Sequence, residues 1–205
     1  MPLWKRFLTT SAVSVIKPVV LVSSAAVIVF LFVTVQPIAS DEDPGSARNL
    51  VDRSVFSYHA LRSGVVVPQI VSSNPIRVQG YLAEHAECPI EVPLLPNFTL
   101  VGGLTDSFRG VRAAQIVYRR GGTFLAMTQV PLNAILRNNA LSLPLNARNE
   151  LLHRGRFTGF QGDSDAVILW TRGTTLCTVV AHMNCSELES VMYSSDDTAG
   201  TLSAW

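Results

Sequence analysis

From Pro18 to Ser40 the chain carries no charged side chain, and from Val19 to Val35 only Ser23, Ser24 and Thr34 interrupt an apolar run. Few structures can accommodate such a segment. A helix rises about 1.5 Å per residue, so roughly 20 residues cross about 30 Å of hydrocarbon, with every backbone hydrogen bond made inside the segment. Residues 18–40 are therefore expected to form a transmembrane helix in contact with lipid. Pro18 would sit in its first turn, where the missing N–H costs nothing, and Pro37 near its end. A helix packed on a water-soluble core would show a polar face, and none can be drawn here. A cleaved signal sequence is the rival, since Ile38-Ala39-Ser40 faintly resembles a cleavage site. Its apolar core would run about 7–15 residues, shorter than this one, and Ile38 is bulky where a peptidase reads a small side chain.

The flanks give a direction. Lys5, Arg6 and Lys17 precede the run, and Asp41, Glu42 and Asp43 follow it. The positive-inside rule places residues 1–17 in the cytoplasm as a short tail and the rest of the chain on the far side. Much of the 48% hydrophobic content is thus concentrated in the anchor. Residues 41–50, acidic and then Pro-, Gly- and Ser-containing, read as a solvated linker. Residues 51–193 are long enough for one domain, and 194–205, rich in small polar side chains, read as a disordered tail. With a net charge of +1 and the basic residues scattered among acids, the chain shows no nucleic-acid footprint.

Within 51–193 the pattern predicts an α+β domain: an antiparallel sheet of about five strands with two flanking helices. Val51–Ser73 mixes short apolar runs with turn residues and is expected to be mostly extended. Asn74-Pro75 predicts a helix start, with Asn as the cap and Pro at the first helical position, and the helix should end before Pro89. Ile76, Tyr81 and Leu82, with Val78 nearby, would form its buried face. The period then changes to that of strands at Thr99–Leu104, Ala113–Arg119 and Thr123–Val130. Gly121-Gly122 suits a tight turn requiring positive φ and makes Gln115–Val130 a hairpin. Ala166–Thr171 and Thr175–Ala181 make a second one around Arg172-Gly173-Thr174. Pro131–Arg154, with five asparagines, reads as a long irregular insertion holding one helical turn at most. Asn184 is a plausible cap for a closing helix over Ser186–Tyr193 that buries Leu188, Val191 and Met192.

Reactive side chains are sparse. Cys177, His182 and Cys185 are the one tight cluster of soft ligands, but a strand-to-helix setting without a nearby fourth ligand reads as a core thiol, a surface histidine and a helix-start cysteine. Three cysteines allow one disulfide at most, with Cys88–Cys185 and Cys88–Cys177 the sequence-distant options. No Gly-x-Ser-x-Gly elbow and no phosphate loop is present, and the Asp41-Glu42-Asp43 cluster reads as solvated linker. No catalytic residue, cofactor or metal is expected, and the chain is read as non-enzymatic.

The ordered string Asn74-Pro75, Tyr81-Leu82, Pro93-Leu94-Leu95, Leu100-Val101-Gly102-Gly103, Gly110 and Ala113–Arg120 resembles the extracytoplasmic part of bacterial transmembrane anti-sigma factors. Ala166–Trp170, Gly173, Cys177–Val180 and Glu187-Leu188 are similar to the second half of that domain, so that the likeness spans residues 51–193. It implies a bacterial inner-membrane protein whose outer domain works by contacting another protein of the envelope or membrane. Arg112, Tyr118, Arg119 and Arg120, with Arg137 and Asn138 in the insertion, are the expected partner-binding residues, Tyr118 having a sheet-packing role as its alternative. In that family a cytoplasmic zinc-binding domain with clustered His and Cys holds the sigma factor, whereas residues 1–17 contain neither, so sigma binding and its zinc do not carry over. The insertion is also longer than the family's link between hairpins, and Tyr81 stands where the family has tryptophan. Two functions follow: an interaction or sensing module of the anti-sigma type, or an accessory structural subunit docking on a larger, energy-transducing membrane complex.

Overall fold

Tight glycine turns set the sheet. Arg120 pairs with Thr123 across Gly121-Gly122, with Gly121 at a φ of 57°, and Arg172 pairs with Thr175 across Gly173-Thr174. Both turns fall where the sequence placed them. The structure, a computed structural model, describes residues 49–136, 141–161 and 164–200. The expected anchor 18–40, the tail 1–17 and most of the linker lie outside these residues. Among the described residues no helix is long and apolar enough to cross a membrane.

The domain is α+β, and its sheet has seven strands rather than five: β1 (Ile70–Val71), β2 (Thr99–Phe108), β3 (Val111–Arg120), β4 (Thr123–Pro131), β5 (Arg156–Gln161), β6 (Asp165–Arg172) and β7 (Thr175–His182). All five expected strands are present, each somewhat longer than its sequence pattern. The order is β1-β2-β3-β4-β7-β6-β5 and every neighbouring pair is antiparallel. Two meanders, β1 to β4 and β5 to β7, therefore meet at the central β4–β7 ladder. The added strands are the two edges. A two-residue β1 and a glycine-containing β5 lack the alternating apolar pattern, because an edge strand is held by one ladder only.

Five helices occur among the described residues, against two expected. The first, α1 (Leu50–Arg62), corrects the extended reading of Val51–Ser73. Its buried positions Leu50, Val51, Ser54, Ser57, Tyr58 and Leu61 follow helical spacing, but two are serine, which hides the stripe from an apolar count. Burying the four apolar members contributes about 1.5–3 kcal/mol each, ample to fix a weakly amphipathic segment. Asn49 caps it: Oδ1 accepts from the Asp52 N–H at 3.0 Å while Nδ2 donates to the Asp52 carboxylate at 2.9 Å. The linker thus ends before Asn49.

The second helix, α2 (Pro75–His85), has the expected start, with Asn74 Oδ1 accepting from the N–H groups of Ile76 and Arg77. Its buried face is Val78 and Leu82, with Tyr81 partly covered; Ile76 is 81% exposed, because it lies two positions before Val78 and points away from the sheet. Leu82 and Val78 press on Gly103, where a Cβ would come within 2.9 Å of Leu82 Cδ1 and 3.1 Å of the Gln115 carbonyl. At Gly102 a Cβ would lie 2.0 Å from the Ile70 carbonyl oxygen, so only glycine lets β1 close on β2.

Pro131–Arg154 is not irregular throughout. It holds α3 (Asn133–Leu136) and α4 (Leu145–Arg154), the latter stopped by Gly155 at a φ of 70°. Ala134, Ile135, Leu141 and Leu151 pack with Leu50, Val111, Val130 and Leu176, apolar cover that a bare loop would forfeit. The closing helix α5 (Cys185–Gly200) starts as expected, with Asn184 Oδ1 accepting from the Glu187 N–H at 2.7 Å, and it buries Leu188 and Val191. Its helical backbone runs past Tyr193, where the sequence pattern ended it, to Gly200.

The sheet is covered on both faces. Ile116, Tyr118, Met127, Ile168 and Val179 face α2, the segment Ile90–Leu95 and α5. Val117, Ala126, Val167, Leu169 and Val180 face α1, and farther along the same face Val111, Val130 and Leu176 meet α3 and α4.

Candidate functional site

Period-two alternation divides the expected partner-binding residues. Arg112 and Arg119 stand at opposite ends of β3, seven residues or roughly 23 Å apart, and at positions that face opposite sides of the sheet. Arg112 pairs with Glu87 at 3.0 Å. Arg119 donates from Nε to the Gly121 carbonyl at 2.7 Å and lies over the Phe124 ring. Arg120 pairs with Glu187 and lies 4.7 Å above Phe98, tying the β3–β4 turn to the first turn of α5. Tyr118 is removed from the surface set: it is buried, its hydroxyl donates to the Pro93 carbonyl at 2.8 Å, and burial pushes its pKa well up. The packing alternative is the one realised. Arg137 and Asn138 lie outside the described residues.

Beneath Tyr118 the segment 89–95 crosses the sheet and leaves a cleft of about 460 Å³ floored by Met127, Trp170 and Cys177. Several of its polar groups are already engaged. Gln129, itself buried, accepts from the Glu91 N–H at 3.1 Å and donates to the Glu91 carbonyl at 2.6 Å, standing in for a strand neighbour. The Glu91 side chain pairs with Arg172 at 2.8 Å, and the Thr175 hydroxyl donates to the Pro89 carbonyl at 3.1 Å. The cleft is thus a clasp that holds segment 89–95 in place.

The three thiols are free. Cys177 faces the cleft and His182, five residues on along β7, faces the other side of the sheet, so strand alternation separates the tight cluster of soft ligands seen in the sequence. Burial pushes Cys177 up to about 12 and Cys88 up to about 11, and it raises Cys185 as well. Such thiols are poor nucleophiles at neutral pH. Among the described residues no group of three or more His, Cys, Asp or Glu is arranged to hold a metal ion.

A cluster that sequence reasoning missed joins α1 to the sheet. Asp165, with a side chain only 9% exposed, receives His59 Nε2 at 2.8 Å on one oxygen and His182 Nδ1 at 3.1 Å on the other. Asp165 and His182 are register partners, and the Tyr58 hydroxyl accepts from the His182 N–H at 3.1 Å. The three residues are far apart in sequence, so only strand register could reveal them. Each imidazole faces a different carboxylate oxygen, an arrangement that fixes the end of α1.

Part of the exposed surface is apolar. Val65, Val67, Val71 and Ile76 are between 68% and 81% exposed within twelve residues of chain flanking β1, the edge strand. The segment is pinned rather than loose. Gln69 Nε2 donates to the Thr105 carbonyl, Gln69 Oε1 accepts from the Thr105 N–H, the Val66 N–H donates to the Ala60 carbonyl, and the Ser72 N–H donates to the Val101 carbonyl. These four aliphatic side chains stand in water on a stretch of chain held in place by those hydrogen bonds. Comparison of the chain with protein families and with curated proteins gives no match.

Proposed function

We propose that the chain is a single-pass membrane protein whose outer domain is a non-enzymatic interaction module, docking a protein of the envelope or membrane on the edge formed by Val65, Val67, Val71 and Ile76. The uncharged run 18–40 with its cationic and acidic flanks supports the anchor and its orientation. One observation carries the docking reading: four large aliphatic side chains are left in water by a segment whose backbone is tied to Ala60 and Val101 and whose Gln69 side chain is tied to Thr105. Water-exposed aliphatics on a pre-ordered edge lose little entropy on binding, and their burial is favourable at about 25 cal/mol per Å².

The likeness to anti-sigma outer domains rests on residues with clear structural work. Asn74-Pro75 caps α2, Gly102-Gly103 lets β1 and α2 approach β2, and the Pro93 carbonyl receives Tyr118. Such residues support a shared fold more than a shared partner.

The test is capture of partners by the tagged full chain from detergent-solubilised membranes, beside a Val65→Asp, Val67→Asp, Val71→Asp variant. The wild-type chain is expected to retain a stoichiometric protein that the variant loses while keeping its melting temperature. Equal retention by both chains would refute the assigned edge. A captured sigma-pathway protein supports a regulatory module, and the subunits of a large complex support the accessory role.

A further inference from the structure

The two edges of the sheet are protected unequally. At the β1 edge a two-residue strand, the Ser72 N–H and the Gln69 side chain take up the backbone of β2 over residues 101–105. At the other edge β5 runs for six residues, and among the described residues it pairs with β6 alone. Natural sheets blunt an open edge with proline, lysine or a bulge. Arg156–Gln161 contains no proline or lysine and follows β6 without a register shift, and Phe160 is 59% exposed. The Thr158 hydroxyl donates to Glu189 at 2.7 Å and the Cys185 thiol to the Gly159 carbonyl at 3.4 Å, so α5 steadies the strand from one face.

What fits this edge is a second copy of it. Directly opposed residues of an antiparallel pair point to the same face, and a twofold axis normal to the sheet keeps each face on its own side. Two β5 strands can therefore pair only in a register centred on a residue. The ladder with β6 fixes the faces: Arg156, Thr158 and Phe160 lie with Trp170, Ile168 and Ala166 on the α5 side, and Phe157 and Gly159 with Leu169 and Val167 on the α1 side. A centre at Gly159 would set two glycines together and Phe160 against Thr158. A centre at Thr158 sets Phe160 against Arg156 of the second copy and Phe157 against its Gly159, each twice. It joins a cation to an exposed ring and a ring to bare backbone, pairings that stabilise antiparallel ladders. Position 159 has to be bare, because a Cβ there would come within 2.6 Å of the Phe157 ring, which leans along its own strand. In this register the Phe157 rings of the two copies come side by side.

We infer that β5 is a homodimer edge: two copies pair β5 to β5, antiparallel about a twofold axis at Thr158, and their sheets become one. This goes beyond the docking reading and leaves it intact, since β1 lies at the far edge of each sheet and a dimer presents that edge twice.

The experiment measures self-association of the full chain in mild detergent by sedimentation over a concentration series, beside Phe160→Lys, Phe160→Glu and the double variant Arg156→Glu with Phe160→Lys. Phe160 stands largely in water, so unchanged melting temperatures are expected throughout. The wild-type chain should dimerise. Lysine at 160 meets Arg156 of the second copy at two places and should weaken the dimer about tenfold, whereas glutamate should leave it at least as tight. Exchange of the charges in the double variant should restore it. A monomeric wild-type chain overturns the inference, and so does a dimer indifferent to Phe160→Lys, as one held by residues 18–40 would be. Equal weakening by lysine and glutamate also overturns it. A second measurement changes no charge: Thr158→Cys, with Cys88→Ser and Cys185→Ser, should be joined to its counterpart by a short bifunctional thiosulfonate. Phe160→Cys in the same background, displaced roughly 13 Å along the strand from its counterpart, should not be joined. Linkage at 160, or none at 158, overturns the pairing.

Discussion

Replacing Gln129 with leucine removes the clasp on segment 89–95 and leaves the side-chain volume nearly constant. The wild-type amide makes two hydrogen bonds to the backbone of Glu91, at 3.1 Å and 2.6 Å, from a side chain that is almost fully buried. Each bond contributes about 1 kcal/mol net, and the abandoned Glu91 N–H and C=O are only part-buried, so water recovers some of their loss. The expected destabilisation is therefore about 2 kcal/mol, read as a lower urea midpoint at unchanged slope for the full chain in mild detergent. A local signature should accompany it. Cys177 is the register partner of Gln129 and lines the same cleft, so lifting 89–95 admits an alkylating reagent to a thiol that is otherwise unreactive. Gln129→Glu provides the contrast: it can still accept from the Glu91 N–H but sets a carboxylate against the Glu91 carbonyl oxygen, and should cost more than leucine at neutral pH. Its protonated form can donate again, so its deficit should shrink as pH falls. A loss below about 0.5 kcal/mol for Gln129→Leu, within the range of ordinary surface changes, with Cys177 still protected, would refute the clasp.

Beneath α1 the hydroxyls of Ser54 and Thr178 are buried without a hydrogen-bond partner. Ser54→Ala and Thr178→Val should therefore stabilise the domain, each by about 1 kcal/mol, seen as a raised melting temperature; a loss in both would show that the hydroxyls are satisfied in solution. Tyr118→Phe strands the Pro93 carbonyl and should cost about 1–2 kcal/mol by denaturant titration. Alkaline stability carries a defined sign. Cys177 ordinarily ionises near 9 and is held protonated to about 12 in the folded chain, so the unfolded chain loses its proton first and stability falls as pH rises through that window. Thermal melts from pH 8 to pH 10.5 should show the decline, and Cys177→Ala should flatten part of it.

The local features of the fold were legible. Hairpin turns at Gly121-Gly122 and Gly173-Thr174, the Asn74-Pro75 start of α2 and the Asn184 cap of α5 all depend on one or two residues whose backbone chemistry acts at short range. A usable signal for α1 was also present: Asn49 with Asp52 three residues on is a reciprocal capping pair. The extended reading came from short apolar runs mixed with turn residues over Val51–Ser73, and the two serines within the buried stripe, which the opposing sheet accommodates, kept the helical spacing out of sight. The edge β5 was illegible for a related reason, since Arg156–Gln161 becomes a strand through its ladder with β6 and not through its own apolar period.

For the candidate surfaces the division is sharper. Residue chemistry alone named arginines and Tyr118, because charge and aromaticity are visible in a string. Packing then turned Tyr118 inward, tied Arg112, Arg119 and Arg120 to neighbours, and left Val65, Val67, Val71 and Ile76 in water. By itself the sequence determined the turns and the caps, which follow from side-chain chemistry over a few bonds or a few turns. Tertiary structure alone decided which aliphatic residues are hidden, which carboxylate gathers His59 and His182, and which strands lie at an edge. Burial and register are properties of two segments meeting, and neither segment carries them alone.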